Sequence, residues 1–411
     1  MYLFISKRFE FSSSHRLFVR NWSDDKNLEY FGRESAGLWG HGHNFEAFFV
    51  FNGPVDTSNG MMINVTSIKD KVKPLIDGKY DHKYLNTDTP LFGDVVPTPE
   101  NVAKGLLTDV RPLFADMSAR PTACHLIESP QSEATAYADG RVERHLWTDF
   151  SAARQTYSPH LSQVENKDLF GKASSAFGHG HHYRLRVTLG GAVDGDSGMI
   201  FPEAEGRRIL DDLRGRFDHR NLNVDVPELS GSPVTTEILA RHFLKHLSQK
   251  MPVGRVRLFE HDHFFVEFSG RDGCLMGVST QFHAAHRLHS SELSDDDNLS
   301  VYGKCNNRYG HGHLYKVEAS IGGELNKRTG TMFRLADLEK AVFETVDEWN
   351  YKHLDLEIEE FKNRVTTGEN IINVLWPRLN AKLGERLVRL RLWETPNNRF
   401  TLRRSVTGGY R

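Results

Sequence analysis

The 411-residue sequence has few cysteines, no long apolar run and almost no net charge. Its three cysteines are an odd number and lie far apart, which favours reduced thiols in a cytoplasmic protein over a disulfide framework. No apolar run approaches the length of a bilayer span, and the first residues lack the apolar core of a signal peptide. A net charge of -2 gives no support for nucleic-acid or membrane partners. We therefore expect a cytoplasmic globular protein.

The sequence does contain an internal repeat. His-Gly-His occurs three times, beginning at His41, His179 and His311. Around each copy the same landmarks recur: an aromatic strand-like stretch before it, an alternating run after it, two helical patterns, and two short strands around a glutamate. This order predicts a β-β-α-α-β-β unit, an antiparallel sheet backed by two helices. The expected N-caps of the second helices are Thr98, Thr235 and Thr366.

Turn-forming sequences mark two joints between the repeats. Ala138-Asp139-Gly140 and Ser269-Gly270 are typical of tight turns, and no long linker accompanies either. These joints predict three domains, at residues 1–139, 140–270 and 271–411. Units joined so tightly are expected to pack as one assembly.

The histidine spacing predicts metal sites in two of the three repeats. Histidines two apart on a strand project from the same face, and a histidine on the preceding strand adds a third nitrogen. Three nitrogens leave a fourth position open, which is the layout of a catalytic zinc site. In the second repeat Arg154 stands at the first position, so we expect no site there. The predicted Zn²⁺ ligands are His15, His41 and His43 in the first repeat and His286, His311 and His313 in the third.

A family resemblance enters at the third repeat. His286, Cys305 and, six residues after the thiol, His311-Gly-His313 resemble the 6-pyruvoyl-tetrahydropterin synthases, and the likeness recurs three times along the chain. It implies an α+β tunnelling fold whose three tandem units close a pseudo-trimeric barrel. It also implies a homodimer of two stacked barrels, a pseudo-hexamer. The implied activity is zinc-dependent conversion of 7,8-dihydroneopterin triphosphate with loss of triphosphate, a phosphorus–oxygen lyase reaction.

The resemblance also implies roles for individual residues. Cys305 would be the general base, helped by an Asp-His pair from a neighbouring unit, and a late glutamate would anchor the pterin ring. The threonine turn before the second helix lies beside the pterin in this family. The candidate pairs are Asp81-His82 and Asp218-His219, and the candidate substrate-binding residues are Glu394, Glu128, Glu260 and Thr366.

No single repeat holds all of these parts, since the third repeat reads Asn350-Tyr351 where the others have Asp-His. In a ring of three, each repeat can lend its pair to one fixed neighbour. One rotation concentrates every loss in the second repeat and gives Asp81-His82 to Cys305, and we favour it. The opposite rotation would give Cys305 the pair Asp218-His219.

Two questions stay open at the level of sequence. Counting back from His41 places Ser35 opposite Cys305, whereas counting from the upstream Gly-Arg places Glu34 there, and we expect Glu34 to be a solvated loop acid. The six-residue offset resembles the pyruvoyl type of enzyme. The alternatives are a 6-carboxytetrahydropterin synthase of the queuosine route and a non-catalytic pterin- or purine-binding protein.

Overall fold

The computed structural model describes residues 1–270 and 273–405. Each repeat contributes four long strands and one two-residue strand. The strands of the first repeat are β1 (Tyr2–His15), β2 (His41–Asn52), β3 (Lys83–Tyr84), β4 (Arg120–Ser129) and β5 (Ser132–Tyr137). Those of the second are β6 (Val142–Arg154), β7 (His179–Gly190), β8 (Arg220–Asn221), β9 (Val253–His261) and β10 (Phe264–Ser269). Those of the third are β11 (Gly273–His286), β12 (His311–Gly323), β13 (Lys352–His353), β14 (Leu387–Thr395) and β15 (Asn398–Arg403).

Every repeat has three longer helices at equivalent places between the strands, and the first and third repeats have additional four-residue helices. The first repeat has α1 (Asp24–Phe31), α2 (Arg33–Ala36), α3 (Val65–Lys79), α4 (Leu85–Asp88) and α5 (Pro99–Val110). The second has α6 (Gln163–Phe170), α7 (Glu203–Phe217) and α8 (Thr236–Leu247). The third has α9 (Asp295–Tyr302), α10 (Leu335–Asp347), α11 (Leu354–Glu357) and α12 (Gly368–Leu383). The predicted pair of helices per repeat is present, and the short helices were not foreseen.

The long strands form one closed antiparallel barrel. Within each repeat they are ordered β1-β2-β4-β5 or its equivalent, β5 pairs with β6, and β10 pairs with β11. The ring closes where β15 pairs with β1, with Tyr2 opposite Arg403. Closure leaves no free sheet edge between repeats. The predicted α+β fold of three tandem units closing a barrel is confirmed.

The two faces of the barrel sheet differ in chemistry. Along β2 the residues Phe45, Ala47, Phe49 and Phe51 are fully buried against the helices, and the alternate residues face the barrel lumen. The amphipathic helices α3 and α5 cover this apolar face, for example with Val72. Burial of each such side chain stabilises the fold by roughly 1.5–3 kcal/mol. The hydrophobic core therefore lies between the barrel sheet and the helices that cover it. Charged side chains line the lumen.

The joints between repeats are tight turns. Gly140 donates its N–H to Tyr137 O at 3.0 Å and adopts a positive φ of 91°, between β5 and β6. The boundary placed after Gly270 adjoins Arg271, which lies outside the described residues. Among the described residues, no helix has both the length and the apolar character needed to cross a membrane.

One predicted cap is wrong by a single residue. Thr98 and Thr235 cap α5 and α8 as expected, but α12 is capped by Thr367, whose side chain accepts the N–H of Asn370. The second repeat also has two adjacent threonines, but the third has Gly368 between its threonines and Glu369, which moves the cap by one residue.

Candidate metal and substrate site

The strand register brings the predicted histidines together. His15 at the end of β1 lies opposite His41 at the start of β2, and the ring centroids of His15 and His43 are 5.1 Å apart. In the third repeat His286 lies opposite His311, with ring centroids 4.5 Å apart. Antiparallel pairing of these strands thus brings histidines that are distant in sequence together in two compact clusters.

Carbonyl groups orient the first histidine of each cluster. His15 Nδ1 lies 2.8 Å from Pro97 O, and His286 Nδ1 lies 2.9 Å from Thr366 O. A histidine that donates from Nδ1 presents its unprotonated Nε2 to an ion. Burial lowers the pKa of both His15 and His286 to about 3, which keeps them in the neutral, ligating form.

The remaining ring atoms fit a metal ion. Among the described residues, the buried Nε2 atoms of His15, His43 and His313 have no hydrogen-bond partner. In the third repeat His286 Nε2 faces His311 Nε2 at 3.1 Å. Nitrogen atoms that converge without partners are a suitable donor set for zinc.

Backbone hydrogen bonds identify the equivalent of Cys305 in the first repeat. Cys305 O accepts the N–H of Leu288 at 3.0 Å, and Glu34 O accepts the N–H of Leu17 at 3.1 Å. Glu34, and not Ser35, therefore occupies the thiol's position. The expectation of a solvated loop acid is wrong, because Glu34 Oε2 lies 2.5 Å from His41 Nε2. This hydrogen bond raises the pKa of His41.

The first and third clusters consequently differ in donor number. His15, Glu34, His41 and His43 bring four donor atoms within 4.8 Å of one another, whereas the cluster of the third repeat has three histidines. Four protein donors fill a tetrahedral zinc ion, and three leave one position for water or substrate.

Cys305 and Glu394 lie around the third cluster. Glu394 Oε1 is 3.8 Å from His286 Nε2 and 3.9 Å from His313 Nε2, and its Oε2 accepts from Asn398. Burial, followed by the nearby Glu394 carboxylate, raises the pKa of the Cys305 thiol. The corresponding glutamate of the first repeat, Glu128, lies 3.5 Å from His15 Nε2, and burial raises its pKa to about 7.

The second repeat brings His179, His181 and Glu260 within 4.8 Å of one another, but Arg154 stands in place of the third histidine. Arg154 Nη2 lies 2.6 Å from Glu260 Oε2, and His181 Nε2 lies 3.0 Å from Glu260 Oε1. Thr236 also donates its hydroxyl to Glu260. Burial alone would raise the pKa of Glu260, but Arg154 holds it well below its usual value. Both carboxylate oxygens of Glu260 are therefore engaged, and the guanidinium opposes a bound cation.

The Asp-His pairs adopt one conformation in both repeats that have them. Asp81 Oδ1 accepts Ser12 N–H at 2.8 Å, and Asp81 Oδ2 lies 2.8 Å from His82 Nδ1. The matching distance from Asp218 Oδ2 to His219 Nδ1 is 3.0 Å. His82 and His219 have positive φ angles of 54° and 55°, which L-residues rarely adopt.

The third repeat has the same backbone conformation at this position but lacks the charged Asp-His pair. Tyr351 also has a positive φ, of 58°, and Asn350 Oδ1 accepts the N–H of His283 at 3.0 Å. Asn350 therefore retains the structural hydrogen bond of an aspartate. Tyr351 stacks on His283 with ring centroids 5.2 Å apart.

The ring order determines which neighbour each pair faces. At Ser13 one edge of β1 pairs with β2 and the other with β3, so Asp81-His82 lies on the edge that pairs with β15 of the third repeat. By the same topology β8, with Asp218-His219, lies on the side of β6 toward the first repeat, and β13 lies on the side of β11 toward the second.

A turn of the first repeat packs against residues near the histidine cluster of the third repeat. Ser290 donates to Ser58 O at 2.6 Å, and Tyr302 donates to Asn59 O at 2.8 Å. Thr367 donates to Gly60 O at 2.7 Å. The site of each repeat is therefore built at its boundary with a neighbour.

The structure separates the roles of the two adjacent threonines. The hydroxyl of Thr366 is fully buried, 2.9 Å from Asp355 Oδ1 and 3.1 Å from Arg287 O. The hydroxyl therefore supports the turn that holds His286, and it is already hydrogen-bonded within the protein.

Sequence reasoning missed a second set of buried glutamates. Glu369 Oε1 accepts Met62 N–H at 2.8 Å across the boundary with the first repeat. Glu100 and Glu237 make the corresponding contacts to Ile200 and Met332. The available signal was a glutamate two residues after each capping threonine.

Comparison with known proteins gives three kinds of match. The model of the 6-pyruvoyl tetrahydropterin synthase family matches residues 4–139, 145–271 and 276–405. A 6-pyruvoyl tetrahydrobiopterin synthase of Drosophila melanogaster is 43% identical over 126 residues, 30% of this chain and 74% of the relative. A 6-carboxy-5,6,7,8-tetrahydropterin synthase of Bacillus subtilis (strain 168) is 30% identical over 107 residues, 24% of this chain and 70% of the relative. The solved Caenorhabditis elegans 6-pyruvoyl tetrahydropterin synthase is 37% identical, with a TM-score of 0.31, and covers 32% of this chain and 95% of that one.

Proposed function

This chain belongs to the 6-pyruvoyl tetrahydropterin synthase family, and we propose that it is a zinc-dependent lyase of that type. Its substrate would be 7,8-dihydroneopterin triphosphate, converted to 6-pyruvoyl-tetrahydropterin with loss of triphosphate. The observation that carries the proposal is the convergence of His286, His311 and His313 beside Cys305 and Glu394.

Each group of the third site has a distinct task in this proposal. A zinc ion held by the three histidines would acidify C–H bonds next to the side-chain oxygens of the substrate. The positive charge of that ion would favour the thiolate form of Cys305, which would accept the carbon-bound proton. His82, held in place by Asp81, moves the other proton, and Glu394 accepts hydrogen bonds from the adjacent ring N–H and amino group of the pterin.

The three repeats would then have separate roles. The three-histidine cluster of the third repeat keeps an open coordination position, which supports catalysis there. Glu34 adds a fourth donor in the first repeat, which supports a closed and structural zinc site. The Arg154–Glu260 salt bridge supports a scaffold role for the second repeat.

Ring topology supports the shared site. The strand β3 places Asp81-His82 on the side of the first repeat that faces the third, and Lys7 of β1 donates to Asn398 at 2.8 Å, close to Glu394. We therefore assign Asp81-His82, rather than Asp218-His219, to Cys305.

We further propose a cytoplasmic homodimer in which two barrels stack as a pseudo-hexamer. The thiols Cys124, Cys274 and Cys305 are all free, which suits a reducing compartment.

The decisive experiment is to incubate the purified, zinc-loaded protein with 7,8-dihydroneopterin triphosphate and identify the products by mass. We expect 6-pyruvoyl-tetrahydropterin and inorganic triphosphate. A 6-carboxytetrahydropterin product would favour the alternative suggested by the Bacillus subtilis relative. Tight pterin binding without any turnover would contradict the enzymatic proposal and favour a binding protein.

A further inference from the structure

The barrel lumen contains a cluster of arginines that the proposed reaction does not use. Alternate residues of the hairpin β14–β15, such as Leu390 and Leu402, are buried on the helix side, so Arg389, Arg391, Arg399 and Arg403 face the lumen. The register places Arg389 opposite Arg403 and Trp393 opposite Arg399. Four cationic side chains therefore share one short segment of the barrel wall.

The nearby carboxylates are already engaged by other arginines. Glu318 Oε1 accepts from Arg391 Nη1 at 3.0 Å. Glu267 accepts two hydrogen bonds from Arg257, and Arg389 lies 3.9 Å from the same carboxylate. Glu318 attracts Arg399 and Glu267 attracts Arg403 electrostatically, but neither carboxylate is hydrogen-bonded to these two arginines.

Arg399 and Arg403 have no acidic partner. Within residues 1–270 and 273–405, no carboxylate oxygen lies within 4.0 Å of either guanidinium, and the buried Nε of each donates no hydrogen bond. Their recorded contacts are with rings, Arg399 at 5.9 Å from Trp393 and Arg403 at 5.7 Å from Phe4. Both arginines are partly buried, and a bound anion would supply the acceptor that their buried Nε groups lack.

The adjacent strand supplies a neutral donor at the same place. Ser6 of β1 lies opposite Arg399 in the register and is 3% exposed, and its hydroxyl has no partner among the described residues. Phe4 and Ser6 bring no negative charge to this side of the lumen. The hydroxyl and the two guanidinium groups together form a set of unpaired donors without an acceptor.

Electrostatic repulsion among the arginines also favours a bound anion. Burial, followed by repulsion from Arg391, lowers the pKa of Arg399 to about 9 and that of Arg403 to about 10. Guanidinium groups stay protonated near neutral pH, so the repulsion persists until an anion relieves it.

We propose that the barrel lumen binds a phosphate-type polyanion between Arg399 and Arg403, with Ser6 as a third donor. Planar guanidinium groups match phosphate oxygens with paired hydrogen bonds, and several charges on one ligand engage several arginines at once. The site lies on the lumen face of the sheet, whereas Glu394 and the histidine clusters lie on its helix face. It is therefore separate from the proposed catalytic site.

Calorimetric titration with inorganic triphosphate at low ionic strength tests this site. The double variant Arg399→Gln/Arg403→Gln is expected to lose one binding event of the wild type, or to weaken it roughly 30-fold. Arg208→Gln on the exposed surface of α7 is the matched control and should bind as the wild type does. Triphosphate bound at the catalytic site would be unaffected by the double variant, so the loss of one event reports on the lumen. Equal numbers and affinities of events in wild type and double variant would overturn the proposal.

A second measurement does not depend on how the variant folds. Triphosphate should raise the melting temperature of the wild type above that in sodium chloride of matched ionic strength, and orthophosphate should raise it less. No difference between triphosphate and sodium chloride would also overturn the proposal.

Discussion

At the residue scale, one backbone position determines what each repeat can do. Cys305, Glu34 and Ala173 all accept the equivalent backbone hydrogen bond. Beside a histidine cluster, a thiol supplies a base, a carboxylate supplies a further ligand, and a methyl group supplies neither. Under the proposed assignment, the chain divides among its repeats functions that a trimer of identical subunits would repeat three times.

Replacing the thiol tests its role directly. Cys305→Ala should reduce turnover by roughly 10²-fold or more, the usual contribution of a general base, while zinc content stays unchanged. The matched variant Ala173→Cys should leave turnover unaltered, because the second repeat lacks the first histidine. Normal product formation by Cys305→Ala would rule out the proposed mechanism.

Metal content should follow the histidine clusters. We expect about two zinc ions per chain, one in the first repeat and one in the third. His41→Ala and His311→Ala should each lose about one ion, and His179→Ala should lose none, because Arg154 occupies the second site. Elemental analysis of dialysed protein measures this, and three ions in the wild type would contradict it.

At the element scale, the two-residue strands β3, β8 and β13 hold the Asp-His positions. Each lies on the edge of a first strand that faces the preceding repeat in the ring. The aspartate or asparagine side chain accepts a strand N–H in every repeat, so Asn350 keeps the hydrogen bond of the aspartates without their charge.

Separate substitutions of the two histidines test the shared site. His82→Ala should lower turnover strongly while His219→Ala leaves it nearly unchanged, because β3 faces the third repeat and β8 faces the first. Both side chains are 83% exposed, so neither change should destabilise the fold. The measurement is the kcat and KM of both variants. Loss only with His219→Ala would reverse the assignment, and activity in both would refute a shared site.

The N-terminus of α12 should make stability depend on pH. Burial raises the pKa of Glu369 to about 7, from 4.5. Between these values the unfolded chain releases a proton that the folded chain keeps, so stability falls as pH rises through this window and is constant above it. Glu369→Gln keeps an oxygen to accept from Met62 but cannot ionise.

Melting temperatures of wild type and Glu369→Gln should therefore differ more at pH 8 than at pH 5. The expected scale is about 1.4 kcal/mol for each unit of pKa shift, in favour of the variant at high pH. Glu344→Gln, on the exposed surface of α10, should show no such divergence. A constant difference across the pH range would contradict this account.

Elements with a periodic pattern could be predicted from the sequence, whereas details set by tertiary contacts could not. The long strands, the paired helices and the histidine clusters follow from alternation and spacing. The position of Glu34 could not be fixed, because one inserted residue changes the count and only hydrogen bonds to β1 decide it. The short helix α6 was missed although Ser162 and Glu165 form a capping box.

At the scale of the whole molecule, closing three repeats in one chain fixes which neighbours meet. In a ring of separate identical subunits every boundary is the same, so a lost residue is lost everywhere. Here the boundary of the third repeat with the first can keep working parts while Arg154 and Ala173 accumulate in the second. Fusion therefore permits one complete site per chain.

The same fusion makes a prediction about assembly. The loop before each His-Gly-His presents a large apolar side chain to solvent: Trp39 is 92% exposed, Phe177 100% and Tyr309 86%. Because the three repeats are arranged around one ring, these residues lie at the same end of the barrel. Apolar groups repeated at equivalent positions around one end of the ring are candidates for an interaction surface. We expect two chains to stack through this end as a particle of about 94 kDa, twice the 46.9 kDa chain, with twofold symmetry.

Light scattering of two matched variants tests the stacked dimer. Phe177→Ser should shift the particle toward the monomer, since it removes the apolar group of a repeat without a histidine triplet and leaves Cys305 untouched. Tyr2→Ser alters an exposed aromatic residue at the opposite end of β1 from His15, and it should stay dimeric. Dimers that persist in Phe177→Ser but dissociate in Tyr2→Ser would place the interface at the other end, and a monomeric wild type would exclude the pseudo-hexamer.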